Sequence, residues 1–228
     1  MNLPKLKLSP FFVNLAFKIF DTPVEEMVFS GSRVLEYSFV LEKLIGKKQG
    51  RVLDIGCTYR FNYLTPTLVM AGLKVYGLDT REFRFKHPNF HYIKQNILNT
   101  DFPDNYFDYV VCVSTIEHIG VEGPFGQEEH KDGDEKALKE IYRIVKPDGK
   151  VFITTEYGKQ KLKHDHRIYS KERIQKIFSN FIIKDERYYI FDKNGIWLST
   201  TEEVASNTED FNGHHAIAMY ELLPKSKK

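Results

Sequence analysis

The sequence has few cysteines, no long apolar run and almost no net charge, and each shortage excludes a class of protein. Its 228 residues include only two cysteines, Cys57 and Cys112. Two cysteines are too few for a disulfide scaffold or a cysteine-only zinc site, and their apolar surroundings predict buried free thiols in a reducing compartment. No stretch approaches the roughly 18 apolar residues of a membrane-spanning helix. Lys and Arg number 33 against 31 Asp and Glu, so the balance gives no argument for a nucleic-acid partner.

The first residues superficially resemble a secretion signal, because two lysines precede an apolar stretch at 11–17. Asn14 and Lys18 interrupt that stretch, and no small-x-small cleavage site follows. We therefore expect a cytoplasmic protein with no membrane span.

Hydrophobic residues make up 42% of the chain and charged residues 28%, which is typical of one globular domain. The apolar spacing in residues 1–46 predicts an N-terminal helical cap. Residues 50–224 then form the core, and 225–228 read as a frayed basic tail.

Short apolar runs alternate with helical patterns through the core. Such alternation predicts a parallel sheet that is covered by helices on both faces. Helical patterns occupy residues 62–71, 134–146 and 171–178, the last capped by Ser170. Two late strands, 181–189 and 215–222, predict an antiparallel hairpin at the sheet edge. The five earlier strands are expected near 51–56, 74–79, 91–95, 109–113 and 150–155.

The first two strands end in acidic residues, which is typical of a nucleoside-binding edge. Asp54 and Gly56 lie where the first strand ends, and Asp79 ends the second. Ligands of doubly wound sheets bind at the carboxyl ends of the strands, where glycine admits the backbone and an acidic side chain accepts ribose hydroxyls. The absence of G-x-G-x-x-G argues against a nicotinamide oxidoreductase.

Four segments in this order resemble the class I S-adenosylmethionine-dependent methyltransferases. The resemblance covers roughly residues 50–156, and within the family it is closest to glycan- and polysaccharide-associated enzymes that carry S-T-I-E-H-I-G after the fourth strand. The matching segments are VLDIGC (52–57), VYGLD (75–79), FPDNYFDYVVCVSTIEHI (102–119) and LKEIYRIVKPDGKVFITT (138–155).

The resemblance implies a Rossmann-like three-layer α/β sandwich with a seven-stranded, mostly parallel sheet. It implies S-adenosyl-L-methionine as cofactor and S-adenosyl-L-homocysteine as product. Asp54, Gly56 and the backbone at Cys57 would surround the methionine part, and Asp79 would hold the ribose. Asn96 and Ile97 would flank the adenine, and Ser114 would touch the cofactor near the transferring methyl.

Three departures from the family pattern affect this assignment. Cys57-Thr58-Tyr59-Arg60 replaces the further glycines, so Tyr59 or Arg60 could enter the site. Asn96 stands where an aspartate is common, and its side-chain carbonyl can still accept a hydrogen bond from adenine. Pro147-Asp148-Gly149 replaces Pro-Gly-Gly in an expected surface turn.

Two histidines are candidates for a general base. His118 follows the fourth strand and is our first choice, and His166 after the fifth strand is our second. Each could instead be a hydrogen-bonded histidine that holds a loop. Adjacent residues point apart, so we expect Glu117 to contact a different partner from His118.

The loop 120–135 is rich in acidic residues and contains His130. Such a loop could bind a divalent ion, but Asp132 or Asp134 could equally start the next helix. We assign no metal ligand.

The sequence thus predicts methyl transfer to a small polar acceptor, most specifically a hydroxyl of a sugar or glycan. Another small molecule or RNA could be the acceptor, aminopropyl transfer is a related alternative, and a cofactor-binding interaction module without turnover is a third. We expect no stable nucleic-acid partner, and the oligomeric state stays open.

Overall fold

The computed structural model describes residues 31–47, 49–58, 62–122, 130–193, 195–209 and 216–227. The chain divides into a short unit, Met1–Leu35, and a larger one, Glu36–Lys228. The described residues of the short unit are the first turns of a helix that continues to Leu44. Most of the predicted N-terminal cap lies outside the described residues, and its covering role stays a prediction.

The larger unit alternates strands and helices along most of its length. The helices are α1 (Gly31–Leu44), α2 (Leu64–Met70), α3 (Gly133–Ile144), α4 (Lys171–Ile177) and α5 (Glu202–Ser206). The strands are β1 (Arg51–Ile55), β2 (Lys74–Asp79), β3 (Phe90–Lys94), β4 (Phe107–Val113), β5 (Val145–Tyr157), β6 (Lys161–Leu162), β7 (Arg167–Ile168), β8 (Phe181–Phe191), β9 (Trp197–Thr200) and β10 (Ala216–Pro224).

Eight of these strands form one mixed sheet in the order β3-β2-β1-β4-β5-β10-β8-β9. The first five are parallel, and the last three join antiparallel. This architecture confirms the predicted Rossmann-like α/β class with its antiparallel C-terminal part. From β1 the chain adds β2 and then β3 on one side, and it then returns past β1 to add β4 on the other side. The direction in which strands are added therefore reverses between β1 and β4. That reversal opens a crevice at the carboxyl ends of β1 and β4.

The C-terminal part differs from the predicted hairpin in two ways. β10 inserts between β5 and β8 instead of lying at the edge. The edge is β9, an eighth strand that pairs with the end of β8 and is followed by the short helix α5. β9 has four residues, two of them polar, and its pairing depends on where β8 ends. Its sequence therefore has no periodic signal of its own.

The core confirms the apolar patterns of the strands and helices. Val52 and Leu53 of β1 are fully buried, as continuous apolar parallel strands require. Cys57 and Cys112 are buried free thiols. Pro147-Asp148-Gly149 lies in a bulge of β5, between the paired residues Val145 and Lys150.

An ion pair between Asp134 and Arg173 joins helices α3 and α4. Asp134 is fully buried in the first turn of α3, and Arg173 Nη2 of α4 donates to it at 2.6 Å. The hydroxyl of Tyr169 donates to the same carboxylate at 3.2 Å. Asp134 therefore has a structural role at the start of α3, which was one of the two interpretations of the 120–135 loop. Within the described ranges, every helix is too short or too polar to cross a bilayer.

Gly56 allows the turn after β1 to touch the turn after β4. Its φ is +79°, and a Cβ at this position would lie 2.2 Å from Thr115 Oγ1. Gly72 also has a left-handed φ, +91°, but a Cβ there would meet nothing within 4 Å. Both glycines thus have a left-handed backbone, but only Gly56 lies where a Cβ would collide with a neighbouring side chain.

We expect Gly56→Ala to lower the free energy of unfolding by about 2–4 kcal/mol, and Gly72→Ala by about 1 kcal/mol. The difference isolates the collision with Thr115, because the backbone strain is common to both. Urea denaturation of both variants measures it. Equal losses would show that the loop relaxes around the methyl group.

Candidate active site

Polar residues from four neighbouring strands converge at the carboxyl edge of the parallel sheet. Asp54 is in β1, Asp79 ends β2, Ser114 follows β4, and Glu156 lies near the end of β5. Asn96 follows β3 farther along the same edge. Asp54, Asp79 and Ser114 lie in or directly after three adjacent strands, because β1 pairs with both β2 and β4.

Asp54 anchors the turn that follows β1. Its side chain is buried and accepts hydrogen bonds from the Thr65 hydroxyl and, at 3.5 Å, from Asn62 Nδ2. The same Asn62 amide donates to the carbonyl of Cys57 at 2.6 Å. Burial raises the pKa of Asp54 to about 6, although the hydrogen bonds from Thr65 and Asn62 oppose the shift. Asp54, Gly56 and Cys57 therefore lie in one turn, which we call the braced turn because hydrogen bonds from Asn62 and Thr65 hold it in place.

The Cys57 thiol faces the protein interior. Its Sγ would lie 2.8 Å from a Cβ at Gly77 of β2. Burial raises the pKa of this thiol, so it stays uncharged. The polar contribution of Cys57 to the turn is its backbone carbonyl.

Asp79 holds the turns after β1 and β2 together. Its Oδ2 accepts from Thr58 N at 3.1 Å, from Thr58 Oγ1 at 2.6 Å and from Arg81 Nη2 at 3.2 Å. Its Oδ1 accepts from Arg81 N at 3.0 Å and from Arg81 Nε at 3.1 Å. Burial alone would raise the pKa of Asp79, but the hydrogen bonds from Arg81 and Thr58 lower it below the usual value. Asp79 is therefore a buried, ionised carboxylate.

Asn96 and Ile97 lie side by side but in different environments. The Asn96 side chain is exposed and accepts from Leu98 N at 3.0 Å, which shapes the turn after β3. Ile97 is buried and belongs to the hydrophobic core. Their predicted contact with adenine stays a prediction.

Ser114 adopts an unusual backbone conformation at the end of β4. Its φ is +37°, a region that residues with a Cβ rarely occupy. Its amide donates at 3.0 Å to both the carbonyl and the hydroxyl oxygen of Thr154 in β5. Its hydroxyl donates to the carboxylate of Glu36. These bonds hold the residue that is predicted to lie near the transferring methyl.

Glu36 is a site residue that the sequence analysis did not single out. It is fully buried on α1, and the Thr154 hydroxyl donates to its Oε1 at 2.5 Å. Val40 and Leu44, one and two turns later on the helix, are also fully buried. The sequence carried one signal for this position: Glu36 shares a helix face with two core residues. A glutamate on such a face is expected to be buried and therefore to need polar partners.

The ring of His118, our first-choice base, is oriented by a backbone carbonyl. It closes a 3₁₀ turn, Ile116–His118, and its Nδ1 lies 2.7 Å from the carbonyl oxygen of Asp165. That contact places the proton on Nδ1 and leaves the lone pair on Nε2. Burial, together with the nearby His166, lowers the pKa of His118 below 6.5. Its neighbour Glu117 contacts a different partner, since its buried Oε2 accepts from the Thr155 hydroxyl at 3.2 Å.

His166 is held between two carboxylates. Its Nδ1 lies 2.6 Å from Asp165 Oδ1, and its Nε2 lies 3.2 Å from Glu156 Oε2. Burial alone would lower the pKa of His166, but Glu156 and Asp165 raise it to about 9. The ring centres of His166 and His118 are 5.9 Å apart. The pair therefore consists of one cationic and one neutral imidazole at neutral pH, and only the neutral one can accept a proton.

Arg167 connects the described residues on either side of the acidic segment that follows β4. Its guanidinium donates to the carbonyls of Ile119 at 2.6 Å, Gly120 at 3.3 Å and His130 at 3.4 Å. No group of His, Cys, Asp or Glu within the described ranges is arranged to hold a metal ion. The loop residues Glu128 and Glu129, and the candidates Tyr59 and Arg60, lie outside those ranges.

Residues 53–153 match the protein family described as "Methyltransferase domain". An uncharacterised protein of Methanocaldococcus jannaschii is 30% identical over 152 residues, covering 64% of this chain and 58% of that protein. A ubiquinone biosynthesis O-methyltransferase of Pseudomonas savastanoi pv. phaseolicola is 25% identical over 126 residues, covering 50% of this chain and 48% of that enzyme. The chain thus spans less than two thirds of either relative.

Comparison with solved structures agrees on the fold. The crystal structure of Burkholderia thailandensis 1,6-didemethyltoxoflavin-N1-methyltransferase, with its substrate and S-adenosylhomocysteine bound, aligns with a TM-score of 0.55. It is 15% identical, and the alignment covers 98% of this chain and 93% of that one. The family match over residues 53–153 and the solved structure thus agree on the fold of a methyltransferase domain.

The charge on His166 leads to a prediction about stability. Folding raises the pKa of His166 above its ordinary 6.5 to about 9, so the folded protein binds this proton more tightly than the unfolded chain. The stabilisation is complete below pH 6.5 and is lost as the pH rises through 9. We expect His166→Gln to destabilise the protein at pH 6 and to have little effect above pH 9 by comparison, as measured by urea denaturation across this range.

His164→Gln is the matched control, because that histidine is exposed and lies two positions away. Its cost should be small, because the His164 side chain is exposed. A His166→Gln cost that does not change with pH would show that the ring contributes packing and not charge.

Proposed function

We propose that the protein transfers a methyl group from S-adenosylmethionine to a hydroxyl group of a small polar acceptor, with a sugar or glycan as the acceptor class. The observation that carries the proposal is His118, a neutral imidazole whose Nδ1 is committed to the Asp165 carbonyl and whose lone pair is on Nε2. It follows β4, the strand that ends beside the braced turn of β1. A base at this place suits an acceptor that must lose a proton.

The residues at the strand ends fit such a cofactor. The buried, ionised Asp79 is an acceptor for ribose hydroxyls, and the turn at Asp54 and Gly56 would face the methionine part. The cofactor supplies an electrophilic methyl group on a positively charged sulfur. The protein then has to align the acceptor oxygen, exclude water and remove one proton.

His118 removes that proton in the proposed mechanism. A sugar-type hydroxyl is a weak nucleophile at neutral pH, so a base that takes its proton as the new bond forms lowers the barrier. The Asp165 carbonyl holds the imidazole in the tautomer that presents Nε2 as acceptor. Glu156 and Asp165 offset the charge of His166, so a proton on His118 adds one positive charge beside two carboxylates.

An oxygen acceptor is supported by the likeness to an enzyme that is named as an O-methyltransferase. The sugar or glycan class is supported by the S-T-I-E-H-I-G segment, residues 114–120, in the sequence. Another small molecule or RNA is the alternative acceptor, and a cofactor-binding module without turnover is the alternative to an enzyme.

A methyl-transfer screen tests the acceptor and the role of metal. Labelled S-adenosylmethionine is offered with saccharides, other hydroxylated small molecules and RNA, each with and without exhaustive chelation. We expect label in saccharide hydroxyls at a rate that chelation leaves unchanged, since a histidine base needs no metal. Label in RNA alone would reject the acceptor class. Loss of transfer on chelation, restored by Mg²⁺ or Mn²⁺, would reject a mechanism in which a histidine base acts without a metal ion.

Removing the base should slow chemistry without weakening cofactor binding. We expect His118→Ala to lower the single-turnover rate by about 10²–10⁴ while the Kd for S-adenosylhomocysteine stays nearly constant. The wild-type rate should rise with pH to a plateau, with a midpoint below 6.5, because the pKa of His118 is lowered. His164→Ala is the control. An unaffected His118→Ala enzyme would contradict the assignment.

A further inference from the structure

The carboxylate that is assigned to the ribose is already saturated by donors of the chain itself. A carboxylate offers about four lone-pair positions. Asp79 accepts five hydrogen bonds, two from Thr58 and three from Arg81. Ribose hydroxyls can therefore reach Asp79 only if some of these donors leave.

The five donors differ in how easily they can leave. The amides of Thr58 and Arg81 belong to the backbone turns. The Tyr92 hydroxyl further fixes the second turn, because it donates to the Arg81 carbonyl and lies 3.4 Å from the Asp79 carbonyl. The Arg81 guanidinium is at the end of a flexible side chain that is 40% exposed, against 5% for the Asp79 side chain. Unlike the two amides, the Arg81 guanidinium can therefore swing into solvent without disturbing either backbone turn.

We propose that the Arg81 side chain occupies the ribose position on Asp79 in the cofactor-free protein, and that its release sets the affinity for adenosine-type cofactors. The inference rests on the proposed function, because it takes the ligand to be S-adenosylmethionine or its product. Arg81 is a positioning residue in this scheme. It acts on the cofactor only through Asp79.

The exchange explains why the arginine is useful in the empty protein. A buried carboxylate without donors costs free energy, and Arg81 supplies two side-chain hydrogen bonds and a positive charge. When the ribose hydroxyls arrive, they replace those donors. The observed Kd then equals the intrinsic Kd divided by the fraction of molecules in which the arginine has left the site.

The scheme predicts two effects of opposite sign from one substitution. Arg81→Ala should lower the melting temperature of the cofactor-free protein, because Asp79 loses donors. It should also lower the Kd for S-adenosylhomocysteine by about threefold to tenfold, because the competitor is gone. Arg81→Lys should fall between, since one ammonium cannot reproduce the two-point contact. A merely structural arginine would give the first effect without the second.

Calorimetric titration with S-adenosylhomocysteine and thermal melts of each variant measure both effects. Arg84→Ala is the control, because Arg84 is an exposed arginine of the same loop, and it should change neither quantity. An S-adenosylhomocysteine analogue without both ribose hydroxyls should show no gain in Arg81→Ala. A Kd that is unchanged or raised in Arg81→Ala, with wild-type binding intact, would overturn the inference alone. Absence of binding by the wild type and every variant would overturn the proposed function as well.

Discussion

Buried carboxylates at the carboxyl edge of the sheet are the constraint around which this site is built. Glu36, Asp54, Asp79 and Glu117 are all nearly inaccessible to solvent. A buried carboxylate needs donors, or it destabilises the fold by several kcal/mol. Each of the four has donors from a neighbouring loop or strand, so these carboxylates hold the loops after β1, β2 and β4 in place.

Burial and neighbouring carboxylates also give the two histidines of the site different charges at neutral pH. His166 lies between Glu156 and Asp165 and therefore keeps its proton at neutral pH. His118 is partly buried near that cation, and both effects lower its pKa although the hydrogen bond to the Asp165 carbonyl opposes them, so it stays neutral. Two histidines that look alike in the sequence thus differ in charge. The difference comes from burial and from neighbours: two carboxylates 1 and 10 positions before His166 hold its proton, whereas the residues around His118 lie 38 to 48 positions later in the chain.

Asp79 shows how one side chain can serve two states of a protein. Its contacts with Thr58 and Arg81 tie two loops together and keep its charge satisfied. The same lone pairs are the ones a ribose would use. In the proposed exchange, the stability of the cofactor-free site and the affinity for the cofactor would both depend on this one carboxylate, so strengthening one would weaken the other.

The sequence by itself determined the order of strands and helices through β5, because continuous apolar runs and helical stripes record which segments are buried. It also determined where the acidic side chains of β1 and β2 emerge, since both end apolar strands. The tertiary structure alone decided that β10 inserts between β5 and β8 and that β9 forms the edge, because strand pairing joins segments that carry no local sign of their partner. It also placed Glu36 against Ser114 and Thr154, and Arg81 on Asp79. The Glu36 contacts and the neutral charge of His118 depend on burial and on residues that are distant in the sequence and meet only in the folded chain. The contacts of Arg81 and of His166 join residues 1 to 10 positions apart, but they need side-chain orientations that only the fold fixes.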